Sequence, residues 1–381
     1  ARPVKKIVII ATTSISFQAL IKGLPKFLSN FYSVEIITSP SNKKSVIEKY
    51  ESVKVTEIEM TRKITIVKDI VSLYRVYKYL LKNKPDIVYT FTPKAGLLGM
   101  MASFLASTPV RIHNIVGMPL MESSGLRRKI LVAVEKATYA FSNKLLCNSS
   151  GLVEYIHRNI TNKKIQVVAN GSINGVDTNV FDRSKFTLEY EKDVKALHGV
   201  KDEDFVLLFV GRLVKDKGIN ELVEAFLSLE KQYKNIRLLL VGDFEEELNP
   251  LDKDIKSLIL SHSGIIHVGF QDDIRDFLLI SDLFVLPSYR EGMPNALLEA
   301  GSFNLPIITT NINGCNEIVV NGENGLLIRK KNVDDLLEAL TVLVSDKKIY
   351  SNIQNNARGY IKSRFSQDFF WDEFLLMLRA L

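Results

Sequence analysis

Leu286-Pro-Ser-Tyr-Arg-Glu-Gly-Met-Pro-Asn-Ala-Leu-Leu-Glu-Ala-Gly301 decides how the rest of the chain is read. The apolar run before it, residues 282–286, suits a buried parallel strand. From Asn295 onward nearly every residue favours a helix, and Pro294 suits a first helical position. The stretch between is then a strand-to-helix turn, and such turns lie at the carboxyl edge of parallel sheets, where ligands bind. The helix start at Asn295 and Ala296 offers N–H groups to an anion. Glu291 and Glu299 bracket that place. Carboxylates beside an anion site make sense as acceptors for neighbouring hydroxyls, as on a sugar.

Outward from this stretch, short apolar runs alternate with helical segments along the whole chain. The runs at 4–10, 34–37, 53–58, 86–91, 110–115, 144–147 and 165–168 form one set. Those at 205–210, 236–241, 265–268, 283–286, 306–309 and 325–328 form a second. This alternation predicts two doubly wound α/β domains with parallel sheets, facing across a cleft that is the default site. The predicted domains are 1–183 and 184–365. The polar passage 182–204 is read as the linker, and the helix 366–381 as packing back toward the first domain. At 381 residues, two domains are the natural count.

Charge divides the chain. Residues 1–183 carry 27 Lys/Arg against 12 Asp/Glu, and the remainder 23 against 31, within an overall +7. The basic half suits an anionic surface or substrate, or simply solvated Lys-rich helix faces. Two cysteines, Cys147 and Cys315, make no disulfide framework or metal spacing. No leader and no membrane span are expected, since residues 4–10 are too short and 95–106 fall below the roughly 20 apolar residues a span needs. Asp252-Lys-Asp254 spells a pattern used by metal-dependent sugar transferases, but it sits at a predicted helix start and reads as capping. The acidic run 243–247 reads as solvated.

Val210-Gly-Arg-Leu-Val-Lys-Asp-Lys-Gly218 opens the second domain at another strand end. Gly211 allows close approach to the backbone, and Arg212 and Lys217 supply a fork and a point charge suited to a diphosphate. Added to Glu291-x7-Glu299, Gly242-Asp, Gly269-Phe, Gly314 with Glu317-Ile-Val, and Asn321-Gly-x-Asn-Gly-Leu-Leu, these residues resemble the retaining glycosyltransferase family 4, whose fold is called GT-B. Asn174-Gly-Val-Asp with Phe181 matches the family's end of the first domain.

The resemblance implies roles. Arg212 and Lys217 would hold the donor's diphosphate and stabilise its leaving charge. Glu291 would contact the donor sugar, and Glu299 the ribose. Gly211 and the backbone of Gly292, Met293, Pro294 and Asn295 would approach sugar and phosphate, while Phe270 and Gln271 would lie along the base. The family usually takes UDP-sugars, with GDP- and ADP-sugars in the minority. No metal and no cofactor beyond this co-substrate is implied. On the acceptor side the candidates are Ser14, Lys94, His113, Arg127 and Arg128. Val116 stands where many relatives have a His, and His113 lies in the strand, where a packed core histidine is the commoner outcome.

Phe91-Thr-Pro-Lys-Ala-Gly-Leu-Leu-Gly99, Val116-Gly-Met-Pro-Leu and Gly125-Leu-Arg-Arg-Lys129 resemble members that build bacterial surface polysaccharides on undecaprenyl diphosphate. That implies a lipid-linked glycan acceptor, an anionic membrane surface as partner and a place at the inner face of the cell membrane, with no nucleic-acid partner. The segment 66–84 mixes apolar, Tyr and Lys residues at helical spacing. It fits either a core-packed helix with a Lys face or one lying on an anionic leaflet. Two other readings share parts of this pattern. UDP-sugar 2-epimerases have the same architecture but do not normally carry both motifs, and a non-catalytic membrane binder leaves the second domain's motifs unexplained.

Overall fold

The computed structural model describes residues 4–61, 65–246 and 249–381. The chain divides into two compact units, Ala1–Asn174 with Asp368–Leu381, and Gly175–Gln367.

The first unit holds a seven-stranded parallel sheet: β1 (Lys6–Ile10), β2 (Ser33–Thr38), β3 (Lys54–Glu57), β4 (Ile87–Phe91), β5 (Val110–Ile115), β6 (Lys144–Cys147) and β7 (Ile165–Val167), in the order 3-2-1-4-5-6-7. β1 and β4 sit in the middle and are almost wholly buried, which is why they read as unbroken apolar runs rather than as alternating ones. Helices cover both faces. The segment after β1 is not one helix but two, Ser14–Ile21 and Leu24–Leu28, because Gly23 takes φ 87° between them. The helix Gln367–Arg379 completes this unit. Its Phe374 ring lies 5.3 Å from Tyr89 of β4, Trp371 stacks on Phe27 at 5.1 Å, and the Trp371 indole N–H donates to Asn174 Oδ1 at 2.7 Å.

The second unit has six parallel strands: β8 (Phe205–Val210), β9 (Ile236–Val241), β10 (Ile265–His267), β11 (Leu283–Leu286), β12 (Ile307–Thr310) and β13 (Gly325–Ile328), in the order 10-9-8-11-12-13. The order reverses between β8 and β11, so the turns after these two strands flank the switch point of the sheet. Both doubly wound sheets agree with the sequence reading.

The boundary does not fall where the sequence suggested. It lies at Asn174/Gly175 rather than 183/184, and the polar passage is not a linker. Residues 188–197 form a helix, and Thr178, Phe181 and Asp182 are gripped by one side chain. The Arg358 guanidinium donates to Thr178 O and Phe181 O, each at 2.8 Å, and pairs with Asp182 at 3.0 Å. At the boundary itself the two chain passes run side by side: Val176 N donates to Phe365 O and Gln367 N to Val176 O, both at 2.8 Å.

Candidate functional site

Three glycines build the floor of the site. Gly211 follows β8, Gly242 follows β9 and Gly269 lies just beyond β10. Gly211 N donates to Val241 O at 2.9 Å and Gly242 N to Gly269 O at 2.8 Å. A Cβ on Gly242, which has φ 141°, would stand 1.9 Å from Gly211 O, so any side chain there would force the two turns apart. The space left is a cavity of about 530 Å³, within the range of small-molecule sites. Val210, Val241, Phe244, Phe270 and Ile274 give it an apolar lining, and Arg212 stands at it as the cation. The Phe270 ring is 67% exposed, and its N–H is fixed by Asp243 Oδ1 at 3.0 Å. The Gln271 amide donates to Val268 O at 2.9 Å, holding the same turn.

Lys217 reaches the site through a different contact. The turn Lys215–Lys217 closes on Gly218 (φ 71°), where a Cβ would meet Pro287 O at 2.1 Å. That approach presses the turn after β8 against the turn after β11. Tyr289 N donates to Asp216 O at 2.8 Å, and the Arg290 guanidinium pairs with Asp216 at 3.0 Å. In this clamp the Lys217 ammonium sits 2.5 Å from Glu291 Oε1, and the Ser288 hydroxyl donates to the same oxygen at 2.7 Å. Lys217 and Glu291 are 22% and 11% exposed, so the pair is largely shielded from water. Arg212 differs. Its side chain is 62% exposed and its guanidinium is paired with Glu245.

The helix Asn295–Ser302 starts as the sequence predicted, but Pro294 is its N-cap rather than its first residue, and no side chain caps it. Proline has no N–H, so Pro294 adds shape and not a donor. The Met293 side chain is buried in the core, which leaves only its backbone for a ligand. Gly292 is held by close packing, since a Cβ on Gly314 would lie 2.0 Å from its carbonyl oxygen. One turn into the helix stands Glu299, half-buried, its carboxyl making no hydrogen bond or ion pair among the described residues. Loss of water around it, with the charge of Asp273 adding to the effect, pushes its pKa up to about 7. Arg212, Lys217, Glu291 and Glu299 thus belong to the carboxyl edge of a single sheet.

Sequence reasoning missed Glu245 and Ser288. The acidic run was read as solvated, yet Glu245 pairs with Arg212 and Asp243 holds Phe270, while Glu247 lies outside the described residues. A run of acids directly after a strand end, facing a predicted cation, was the available signal. Asp252 stands at the N-cap of Lys253–Ser261 but does not cap it with its side chain. It pairs instead with Lys215 at 2.7 Å and accepts from Asn220 at 2.8 Å. Among the described residues no three His, Cys, Asp or Glu side chains are grouped as metal ligands would be.

The acceptor-side candidates of the first unit do not form one group. His113 is a core residue of β5. It is 3% exposed, bonded through Nδ1 to Thr90 Oγ1 at 2.9 Å, and packed so tightly that a Cβ on Gly96 would touch its ring at 2.3 Å. Burial pushes its pKa down to about 3, so it stays neutral. Lys94, at the start of Pro93–Leu105, is paired with Asp69 at 2.5 Å and is mostly buried. Ser14 is buried at the start of its helix. Arg128 is spent on Leu120 O at 3.0 Å and on the Tyr155 hydroxyl at 3.1 Å, while Arg127 is exposed.

Residues 191–360 match the family model for glycosyl transferases group 1, and residues 16–171 the model for the glycosyl transferase 4-like domain. The capsular polysaccharide biosynthesis glycosyltransferase CapM of Staphylococcus aureus is 31% identical over 93% of this chain and 92% of its own. The UDP-Gal:alpha-D-GlcNAc-diphosphoundecaprenol alpha-1,3-galactosyltransferase of Escherichia coli is 34% identical over 81% and 78%. Among solved structures, HepE of Anabaena in complex with UDP and glucose aligns at a TM-score of 0.81, with 18% identity, over 99% of this chain and 100% of that one. Two doubly wound units and these likenesses define a glycosyltransferase of the GT-B fold. The chain belongs to glycosyltransferase family 4.

Proposed function

We propose that this glycosyltransferase moves a sugar from a UDP-sugar to a glycan carried on undecaprenyl diphosphate, with retention and without a metal ion, in the making of a bacterial surface polysaccharide. The observation that carries the reading is an apolar cavity lined by Arg212 after β8, with the shielded Lys217–Glu291 pair joining the turns after β8 and β11 of the same sheet. The cavity suits a base. Arg212 and Lys217 suit a diphosphate and do what a divalent cation does elsewhere: they stabilise the charge that grows as the nucleotide leaves. The uncapped start of Asn295–Ser302 adds N–H groups on the same edge. The Glu299 carboxyl has no hydrogen-bond or ion-pair partner among the described residues, which suits acceptance of ribose hydroxyls.

Glu291 has two tasks in this reading. It orients Lys217, and it accepts hydrogen bonds from the donor sugar's hydroxyls. Retention follows if the acceptor hydroxyl attacks from the face the leaving phosphate occupies and passes its proton to that phosphate. No protein base is then required, and a neutral, buried His113 is consistent with that.

The acceptor class rests on relatives. The Escherichia coli enzyme above and the N,N'-diacetylbacillosaminyl-diphospho-undecaprenol alpha-1,3-N-acetylgalactosaminyltransferase of Campylobacter jejuni, 28% identical over 73% of each chain, carry diphosphoundecaprenol acceptors in their names. Their donors differ, and both hexose and N-acetylhexosamine remain in the proposed class. Such an acceptor implies work at the inner face of the membrane. No helix among the described residues is long and apolar enough to cross it, so attachment would be peripheral. The names of these relatives also favour a transferase over an epimerase.

Glu291→Ala tests the assignment. Transfer of labelled sugar from a UDP-sugar panel to a membrane extract should fall at least about a hundredfold, an effect of about 2.7 kcal/mol on the barrier. UDP affinity by calorimetry should stay within about fivefold. Unchanged turnover would sink the role of Glu291, and UDP release without transferred sugar would sink the transferase reading.

A further inference from the structure

We infer that the exposed face of the helix Ile66–Asn83 is a docking surface for an anionic lipid bilayer; the inference deepens the proposed function and rests on it. The helix buries Ser72, Val76 and Leu80 against its own unit. Away from them, Ile66, Val67, Ile70, Val71 and Tyr74 are 73%, 76%, 61%, 44% and 55% exposed. Positions 66, 70 and 74, and 67 and 71, recur every four residues, so they form one stripe along the first turns. Single exposed apolar residues are ordinary, but five on adjoining turns of one helix are a surface that no described residue covers.

The charges around the stripe select the partner. Lys68, Arg75, Lys78 and Lys82 are all exposed on this helix. Among the described residues Lys68 pairs only with Glu59, at 3.7 Å, and both are well exposed. The helix's own acid, Asp69, is neutralised by Lys94 at 2.5 Å. An apolar stripe flanked by cations is the pattern of a helix lying in the plane of an anionic leaflet. A second copy of this chain fits poorly, because two such helices face to face would bring eight exposed cations together.

Topology extends the surface. The crossovers β3 to β4, β4 to β5 and β5 to β6 carry the helices Ile66–Asn83, Pro93–Leu105 and Gly125–Phe141. Right-handed crossovers in one direction put all three on one face of the sheet, each beginning at its carboxyl edge. The start of Gly125–Phe141 is exposed too: Leu126 is 73% and Ile130 43% accessible, with Arg127 and Lys129 beside them. Two helix starts with the same apolar and basic character therefore flank Lys94 along one edge. This makes Arg127 a contact to lipid headgroups rather than to the acceptor.

The test is vesicle flotation of the full chain. Wild type should float with vesicles of equal parts phosphatidylglycerol and phosphatidylcholine, and at least about tenfold less with phosphatidylcholine alone. Val67→Glu/Ile70→Glu should lower binding to the anionic vesicles at least about tenfold. Both positions are exposed, so the melting temperature should not move, and that measurement accompanies the flotation. Full binding by the double variant overturns the inference. So does a wild type that fails to float but forms a dimer the variant abolishes, which would give the face to a second copy. UDP release onto a short-chain, water-soluble polyprenyl diphosphate acceptor should be equal in both proteins. Its absence from both would refute the transferase reading while leaving the flotation result standing.

Discussion

Glu299→Gln should make the free protein more stable and the donor weaker. The carboxyl is half-buried, has no hydrogen-bond or ion-pair partner among the described residues, and has its pKa pushed from the ordinary 4.5 up to about 7 by desolvation and by Asp273. At about 1.36 kcal/mol per pH unit, that difference is worth about 3 kcal/mol; partial contact with water reduces it to about 1–2 kcal/mol. The sign follows from linkage. Below pH 4.5 both states hold the proton and there is no cost. Between 4.5 and 7 the unfolded chain releases it first, so wild-type stability falls as pH rises. Above 7 both are ionised and the cost is constant. Glutamine removes the charge, so the variant's advantage in melting temperature should open across pH 4.5–7 and then level off. Binding moves the other way. A hydrogen bond to a charged acceptor is worth about 1.5–3 kcal/mol, so UDP affinity should fall about tenfold to a hundredfold. Wild-type UDP affinity should rise from pH 6 to 8 as Glu299 ionises, and the variant's should not. Calorimetric titration and thermal melting across pH measure both. A UDP affinity within twofold of wild type, or a variant less stable than wild type at pH 8, would refute the assignment of Glu299 to the ribose.

His113→Gln should leave turnover per folded molecule within about twofold at neutral pH, because a neutral core histidine does no proton transfer; a tenfold drop in kcat would make it catalytic. The wild type should also lose stability as pH falls below about 6.5, where the unfolded chain takes a proton that the folded one refuses until about 3. The glutamine variant should lack that slope in urea titrations run from pH 7 to 5. Gly242→Ala places a Cβ 1.9 Å from Gly211 O, so about 1–3 kcal/mol of stability should be lost. UDP binding should fall with it, and a silent substitution in both assays would mean the floor is not rigid. Glu245→Gln frees Arg212 from its ion pair. An exposed pair of about 0.2–1 kcal/mol translates into a donor KM lowered by up to about fivefold at low salt. A raised KM would show that Glu245 itself contacts the donor.

Much of this was legible because the decisive features are local. A fully buried parallel strand must be a short apolar run, and thirteen such runs are visible. Glycines, cations and carboxylates at strand ends are local too, so Gly211, Arg212, Lys217, Glu291 and Glu299 could be placed at the carboxyl edge of the second sheet from the sequence. What escaped depends on distant partners. Asp182 opens the polar passage read as linker, but it is paired with Arg358, which also holds the carbonyls of Thr178 and Phe181 and which no local pattern connects to them. His113 is a core residue because Gly96 leaves its ring the space of a side chain. Glu245 looked solvated because nothing in an acidic run says which member will meet Arg212.

The two ion pairs at the candidate site are unequal, and under the proposed function that inequality would order the events of donor binding. Arg212–Glu245 is open to water, so the pair is weak and readily exchanged for a phosphate. Lys217–Glu291 is shielded and shares its acceptor oxygen with Ser288, so breaking it would strand a charge. Under the proposed function a diphosphate would therefore capture Arg212 first and meet Lys217 already oriented by Glu291. If so, Glu291→Ala releases Lys217 as well as the sugar contact, whereas Glu291→Gln keeps an acceptor for the ammonium and removes the charge. The glutamine variant should retain several-fold more activity than the alanine one. Equal losses would mean that the charge of Glu291, and not its hold on Lys217, is what catalysis uses.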